Sequence, residues 1–203
     1  MSELLQFTGF LKKRLLNELP GKSAHFKMVP SIRLSEFDSI PEDARKSSVL
    51  LLLFENDKEI ATVLIERPEY NGVHSAQVSL PGGSFQETDK MLDQTALRET
   101  EEEIGVDRKK IRIIGSLTDL YIPPSNFRVK PFIGIGGNIT GFQPDKHEVK
   151  SLHIININEF DGDKNIKTKK IRIQNGNEFD TCYYDINNQP IIDKSVAGAE
   201  RQF

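Results

Sequence analysis

The run Ser48-Val49-Leu50-Leu51-Leu52-Leu53-Phe54 restricts the fold more than any other stretch of the chain. It shows neither the alternation of a half-exposed strand nor the spacing of an amphipathic helix. A strand like this hides both of its faces, so the fold must cover it with a layer on each side. Asn56-Asp57 closes the run, and residues 60–65 read as its hairpin partner. A short strand is expected over 77–80, just before Pro81-Gly82-Gly83, and a helix over 89–104, stopped by Gly105. Strands are also expected over 111–117, 129–135 and 149–155, and a short helix over 158–160. A further hairpin, 171–174 with 181–186, is expected around Asn175-Gly176-Asn177. Strands mixed with one strong central helix predict an α/β or α+β sandwich.

The chain has 203 residues, which suits one domain. A hydrophobic fraction of 37% and a charged fraction of 28% are compatible with a packed core. The net charge of −3 argues against a general polyanion binder, so no nucleic-acid partner is expected. With Cys182 as the single cysteine, an internal disulfide is impossible and a Cys-based zinc site is disfavoured. The N-terminal segment carries charges throughout and resembles no signal peptide. No run approaches the ~20 apolar residues of a membrane span. A cytoplasmic protein with no membrane partner is expected.

Residues 2–19 place Leu4, Leu5, Leu11, Leu15 and Leu19 at helical spacing, with Ser2 as N-cap and Pro20-Gly21 as the stop. This predicts an amphipathic helix that packs on the main body or on a partner subunit.

The chemistry concentrates in residues 82–106. Asp89 is a suitable N-cap and Gly105 a suitable C′ residue for the helix between them. Leu92, Ala96 and Thr100 share one face. Glu99, Glu102 and Glu103 share another, and Glu101 adds a fourth carboxylate nearby. Like charges at this spacing cost about 0.2–0.5 kcal/mol per pair, and they crowd the helix end where the macrodipole disfavours anions. A hard divalent cation, Mg²⁺ or Mn²⁺, removes that objection. Arg98 can reach Glu102 one turn on and hold it. Gly82-Gly83 allows close approach of a backbone to a ligand. A solvated acidic face is the plain alternative, but the Gly-Gly loop, the Arg-Glu pair and the terminal glycine occur together.

These residues resemble the Nudix box, G-x5-E-x7-R-E-U-x-E-E-x-G-U, with U a bulky apolar residue. Gly83, Arg98, Glu99, Glu102, Glu103, Gly105 and Val106 fill its places. Asp89 stands for the early Glu with one extra residue before Arg98, and Thr100 replaces the first apolar position. Ile65-Glu66-Arg67, His74, the stretch 77–83 and 95–99 resemble the coenzyme A pyrophosphatase branch, which shares the extra residue. Ala76 and Leu80 depart from its Gly and Phe. Tyr183-Tyr184-Asp185-Ile186 and residues 191–201 resemble the branch's last strand and the start of its last helix, without its Trp-containing run.

The resemblance implies an α/β/α sandwich of α+β type with a mixed central sheet and an added N-terminal helix. Residues 1–46 would be a helix and linker packed on a domain spanning 47–203. It implies metal-dependent hydrolysis of a diphosphate linkage in a nucleotide derivative. For coenzyme A or acyl-CoA the products are 4′-phosphopantetheine and adenosine 3′,5′-bisphosphate. Glu99 and Glu103 are the implied direct ligands of Mg²⁺ or Mn²⁺, with Glu102 a third or water-mediated one. Arg98 and Glu148 complete the catalytic set. The base is a box glutamate or a later carboxylate, Glu148 ahead of Asp119. Arg67, His74, Gly82 and Gly83 are the expected substrate contacts, with a surface salt bridge for Arg67 and a structural role for His74 as plain alternatives. Ser125-Asn126-Phe127-Arg128 is a further candidate loop, whereas His25, His147 and His153 share no ligand spacing. Other substrates stay open, namely ADP-ribose, dinucleoside polyphosphates or nucleoside triphosphates, as does a non-catalytic ligand-binding module. Either a monomer or a homodimer is compatible.

Overall fold

The structure is a computed structural model that describes residues 2–26, 40–68, 77–139, 141–162, 164–172, 178–186 and 189–191. Two parallel strands form its spine. Strand β1 (Arg45–Asn56) lies beside β7 (Phe127–Gly136), in register from Arg45 with Phe127 to Leu53 with Ile135. The other edge of β1 is divided. Its first half pairs antiparallel with β4 (Gly82–Ser84), its second half with β2 (Glu59–Glu66). Beyond β2 lie β3 (Val78–Ser79) and β8 (Ser151–Asn156). Strands β5 (Ile111–Ser116) and β6 (Leu120–Ile122) flank β7. The sheet is therefore mixed, as expected.

The apolar run is buried on both faces, and successive residues serve different cores. Leu51 and Leu53 join a cluster with Leu4, Leu11, Ile133, Tyr184 and Ile186. Leu50, Leu52 and Phe54 join another with Ala96, Leu97, Ile104 and Val106. Helix α3 (Leu92–Ile104) covers the second face. The first is covered by α1 (Glu3–Arg14) and by a small antiparallel sheet of β9 (Ile166–Arg172), β10 (Glu178–Ile186) and β11 (Gln189–Ile191). Tyr184 of that sheet meets Phe160 edge-on at 5.3 Å between centroids.

Several expected bounds move, each for a local reason. Strand β1 starts at Arg45 because β7 and β4 supply partners to its polar beginning, which carries no hydrophobic signal. The turn after it, Asp57-Lys58, has positive φ at both residues (51° and 72°), the pattern of a two-residue hairpin turn. Strand β8 starts at Ser151 because a turn holds Val149, whose N–H donates to the Asp145 carbonyl. Residues 157–160 form the short helix expected there, as a 3-10 turn. The small strands β4, β6 and β11 carry no sequence signal of their own.

Ser2 caps α1 as expected, its Oγ accepting from Leu5 N–H. The buried stripe is Leu4, Thr8 and Leu11, continued by Leu15 packed on the core. Thr8 satisfies its hydroxyl on the Leu4 carbonyl at 2.7 Å and can therefore be buried. Leu5 lies about 100° round the helix from Leu4 and is 53% exposed, so it does not share the packing face. The helix ends at Arg14, before Pro20-Gly21. Those two residues instead accept the first N–H bonds of α2 (Lys22–Phe26).

Leu11→Ala should lower unfolding stability by about 2–5 kcal/mol. Leu5→Ala should change it by no more than about 0.5 kcal/mol. Urea denaturation of the two variants checks the contrast, and equal losses would mean that α1 is docked by a different face.

Candidate active site

Helix α3 meets the sheet over the two glycines. A Cβ on Gly82 would stand 2.3 Å from the Ser48 carbonyl oxygen, and its φ of +155° is unfavourable for other residues. A Cβ on Gly83 would stand 2.5 Å from the Glu99 carboxyl carbon. The Gly-Gly step thus lets strand β4 lie on β1 while a carboxylate of α3 rests against it. Gly105 ends the helix in the left-handed region with φ 71°. Thr100, which fills the apolar place in the motif, is fully buried and donates its hydroxyl to the Ala96 carbonyl.

Arg98 organises the carboxylates. Its Nε and Nη2 donate to the two oxygens of Asp89 at 3.0 and 2.9 Å. Nη1 donates to Glu99 at 2.8 Å and Glu102 at 2.9 Å, and Nη2 also reaches the Ser84 carbonyl. The reach to Glu102 follows from helical spacing. The bond to Asp89 does not, and Asp89 is not the helix cap that its position suggests. The helix starts at Leu92 after Met91, which makes no side-chain cap bond. Asp89 is buried and also accepts from Thr95 Oγ1 and Gln86 N–H. The Arg98 bonds hold its carboxyl down at about 2.

Glu103 is almost completely buried. One oxygen accepts from Arg67 Nη2 at 2.9 Å and the other from Gly82 N–H at 2.8 Å. Burial pushes its carboxyl up to about 7, against the opposing pull of Arg67 and the Gly82 amide. Glu99 is also raised by burial, opposed by Arg98. The charge of Glu148 raises both groups further. Glu148, exposed in the turn before β8, therefore lies within electrostatic reach of the α3 carboxylates.

The remaining candidates separate. Glu102 is half exposed on the Arg98 side. Glu101 turns away and binds Arg108 by side chain and backbone. Arg67 also donates to the Gly82 carbonyl, so it ties β2 to β4 and α3. Asp119 is bound to Arg128 and Lys130. The expected loop 125–128 is instead the end of a 3-10 turn followed by the start of β7 at Phe127, and there the Ser125 carbonyl accepts from Arg45, whose guanidinium lies 4.1 Å over Phe127. His74, Ala76 and residues 192–201 lie outside the described residues. His25 is buried, which lowers its pKa, His147 is exposed in a turn, and His153 lies near Glu66. Cys182 is half-buried in β10 against the core. Sequence spacing gave no sign of the Asp89–Arg98 and Arg67–Glu103 pairs, because each joins residues that only the loops bring together.

Among the described residues, no three acidic, histidine or cysteine side chains are gathered closely enough to enclose an ion as they stand. The donor set nevertheless suits a hard divalent cation. Its groups are carboxylate oxygens that raise one another's proton affinity, a repulsion that a bound cation would relieve.

A family model described as the NUDIX domain matches residues 44–186. The chain belongs to the Nudix family. It is 33% identical over 144 residues to "Nudix hydrolase 15, mitochondrial" of Arabidopsis thaliana, covering 70% of this chain and 50% of that protein. It is 35% identical over 86 residues to an uncharacterized Nudix hydrolase of Pectobacterium atrosepticum, covering 42% and 44%. The Nudix chain thus spans about half the length of these curated relatives, or less. Among solved structures, a MutT/nudix family protein from Enterococcus faecalis superposes with a TM-score of 0.50 at 16% identity, covering 81% of this chain and 63% of that one. That likeness concerns the fold. Among the described residues, no helix is long and apolar enough to cross a membrane.

Asp89 should make stability depend on acid. Its folded pKa of about 2 lies below the ordinary 3.8, so its contribution is complete above 3.8 and is lost as pH falls toward 2. Asp89→Asn should flatten that limb of the unfolding curve. Arg98→Ala should cost about 3–5 kcal/mol at neutral pH by leaving Asp89 buried and unpaired. Thermal melts across pH check both, and an unchanged acid limb in Asp89→Asn would refute the assignment.

Proposed function

We propose that this Nudix chain hydrolyses a diphosphate linkage in a nucleotide derivative, with coenzyme A or acyl-CoA as the first substrate. The observation that carries the reading is the seating of two carboxylates of one helix, Glu99 and Glu103, against the Gly82-Gly83 step, with the charge of Glu148 within electrostatic reach of both. Buried carboxylates held close to one another offer the oxygen ligands that a hard divalent cation prefers. Glu99 and Glu103 would hold Mg²⁺ or Mn²⁺, with Glu102 directly or through water. When bound, such an ion neutralises diphosphate oxygens and lowers the pKa of the attacking water. Glu148 is our choice for the group that takes the proton from that water, because its charge reaches Glu99 and Glu103 from a separate loop. Arg98 holds Glu99 and Glu102 in place, and Arg67 does the same for Glu103.

The coenzyme A assignment rests on the likeness of Ile65-Glu66-Arg67, His74 and residues 77–83 to that branch. Cleavage would release 4′-phosphopantetheine and adenosine 3′,5′-bisphosphate. Cytoplasmic placement is part of the same proposal and rests on the single cysteine.

Purified protein should release 4′-phosphopantetheine from coenzyme A only when Mg²⁺ or Mn²⁺ is supplied, as read by mass. Glu103→Gln should reduce the rate by about a hundredfold or more. Cleavage of ADP-ribose or a nucleoside triphosphate with coenzyme A left intact would keep the reaction and sink the substrate. Metal-independent turnover, or full activity in Glu103→Gln, would sink the mechanism.

A further inference from the structure

Glu66 stands outside the carboxylate cluster, yet its side chain is fully engaged. One oxygen accepts from Lys150 Nζ at 2.7 Å and the other from Ser151 Oγ at 2.6 Å, with His153 Nε2 3.6 Å away. Its main-chain carbonyl accepts the Lys150 N–H at 2.8 Å. All of these partners follow closely after Glu148. The other end of the same segment is pinned to the last turn of α3. There Gln143 N–H donates to the Ile104 carbonyl at 2.9 Å and Asp145 N–H to the Glu103 carbonyl at 3.0 Å. Asp145 then closes the turn between the two ends. Its side chain accepts from His147 N–H, and its carbonyl accepts from Glu148 and Val149 N–H. Val149 is buried as a plug beneath the turn.

Glu148 therefore rides on a short bracket fixed at both ends. One end hangs on the residue that carries the Glu103 carboxylate. The other hangs on Glu66, whose chain neighbour Arg67 binds that carboxylate directly. An exposed side chain on a turn has no packing of its own to aim it, so its direction is set by where the turn is fastened. The Lys150 pair is half exposed and adds little to stability, since exposed ion pairs contribute weakly. Its effect is on position.

We propose that Glu66 is a positioning residue that fastens segment 145–151 to β2 and thereby aims Glu148 at Glu99 and Glu103. The proposal rests on the hydrolase reading above. A shift of ~1 Å in a reacting group can reduce a rate by as much as a hundredfold, which sets the scale of the effect.

The test compares wild type, Glu66→Ala, Glu148→Gln and the double variant on coenzyme A with Mn²⁺, or on ADP-ribose if that is the compound cleaved. Glu66→Ala should lower kcat about tenfold or more and leave KM within about twofold. In the Glu148→Gln background the same change should cost less than about twofold, because the group it aims is already gone. An equal loss in both backgrounds would overturn the proposal. Glu66→Gln keeps an acceptor for Ser151 and should recover part of kcat; it also serves if the alanine variant fails to fold. Amide hydrogen exchange gives a readout that needs no turnover. Exchange at Glu148 and Val149 should quicken in the Glu66 variants while that of β1 stays unchanged, and unaltered exchange would overturn the fastening. If wild type cleaves nothing, the hydrolase reading fails, and exchange alone decides whether Glu66 fastens the segment.

Discussion

The geometry of the site depends on one guanidinium. Arg98 is a buried cation whose donors are shared among Asp89, Glu99, Glu102 and the Ser84 carbonyl. A buried charge is tolerable only when paired and hydrogen-bonded, and Arg98 is both. Through it, helix α3 is joined to strand β4 and to the loop between them. Asp89 balances the arginine from below, which leaves Glu99 and Glu102 held at a single nitrogen. The acidic face of α3 is thus arranged by a cation that the protein itself supplies.

The second ionic tie, Arg67 with Glu103, acts at the other end of the same helix. Burial favours the neutral form of Glu103, whereas Arg67 and the Gly82 amide favour the charged one. The two glycines allow this closeness, since any side chain at either position would collide with β1 or with Glu99. Stability and site geometry are therefore set by the same contacts, and a substitution in this region will usually affect both.

Much of the architecture was legible in the sequence because it rests on burial. The run 48–54 had to be covered on both faces, and it is, by α3 on one side and α1 with a small sheet on the other. The helix of the Nudix box was equally legible from Gly105 and its spacing. Polar residues were harder to place. Asp89 carries the same signal whether it caps a helix or neutralises a buried arginine, and only the fold of the loop decides between them. Glu101 looked like part of the cluster until Arg108 took it away. Arg45 to Ser47 look like loop residues but lie in a strand, because their partners come from distant parts of the chain. Glu148 stood out only as a carboxylate before a strand, and its neighbourhood to Glu99 is a product of tertiary structure.

The parallel pairing of β1 with β7 also orders events in time. Arg45 reaches Ser125 across 80 residues of chain, at one end of the β1–β7 register. Closing so long a loop is slow, and non-local pairing of this kind delays folding. During synthesis, β1 and α3 leave the ribosome well before β7. Until β7 arrives, the apolar run has one edge without a partner, and the surface that receives α3 is incomplete. A nascent chain halted between β5 and β7 would leave an edge of the apolar run 48–54 without its partner, so the interval before β7 emerges is where a chaperone would matter.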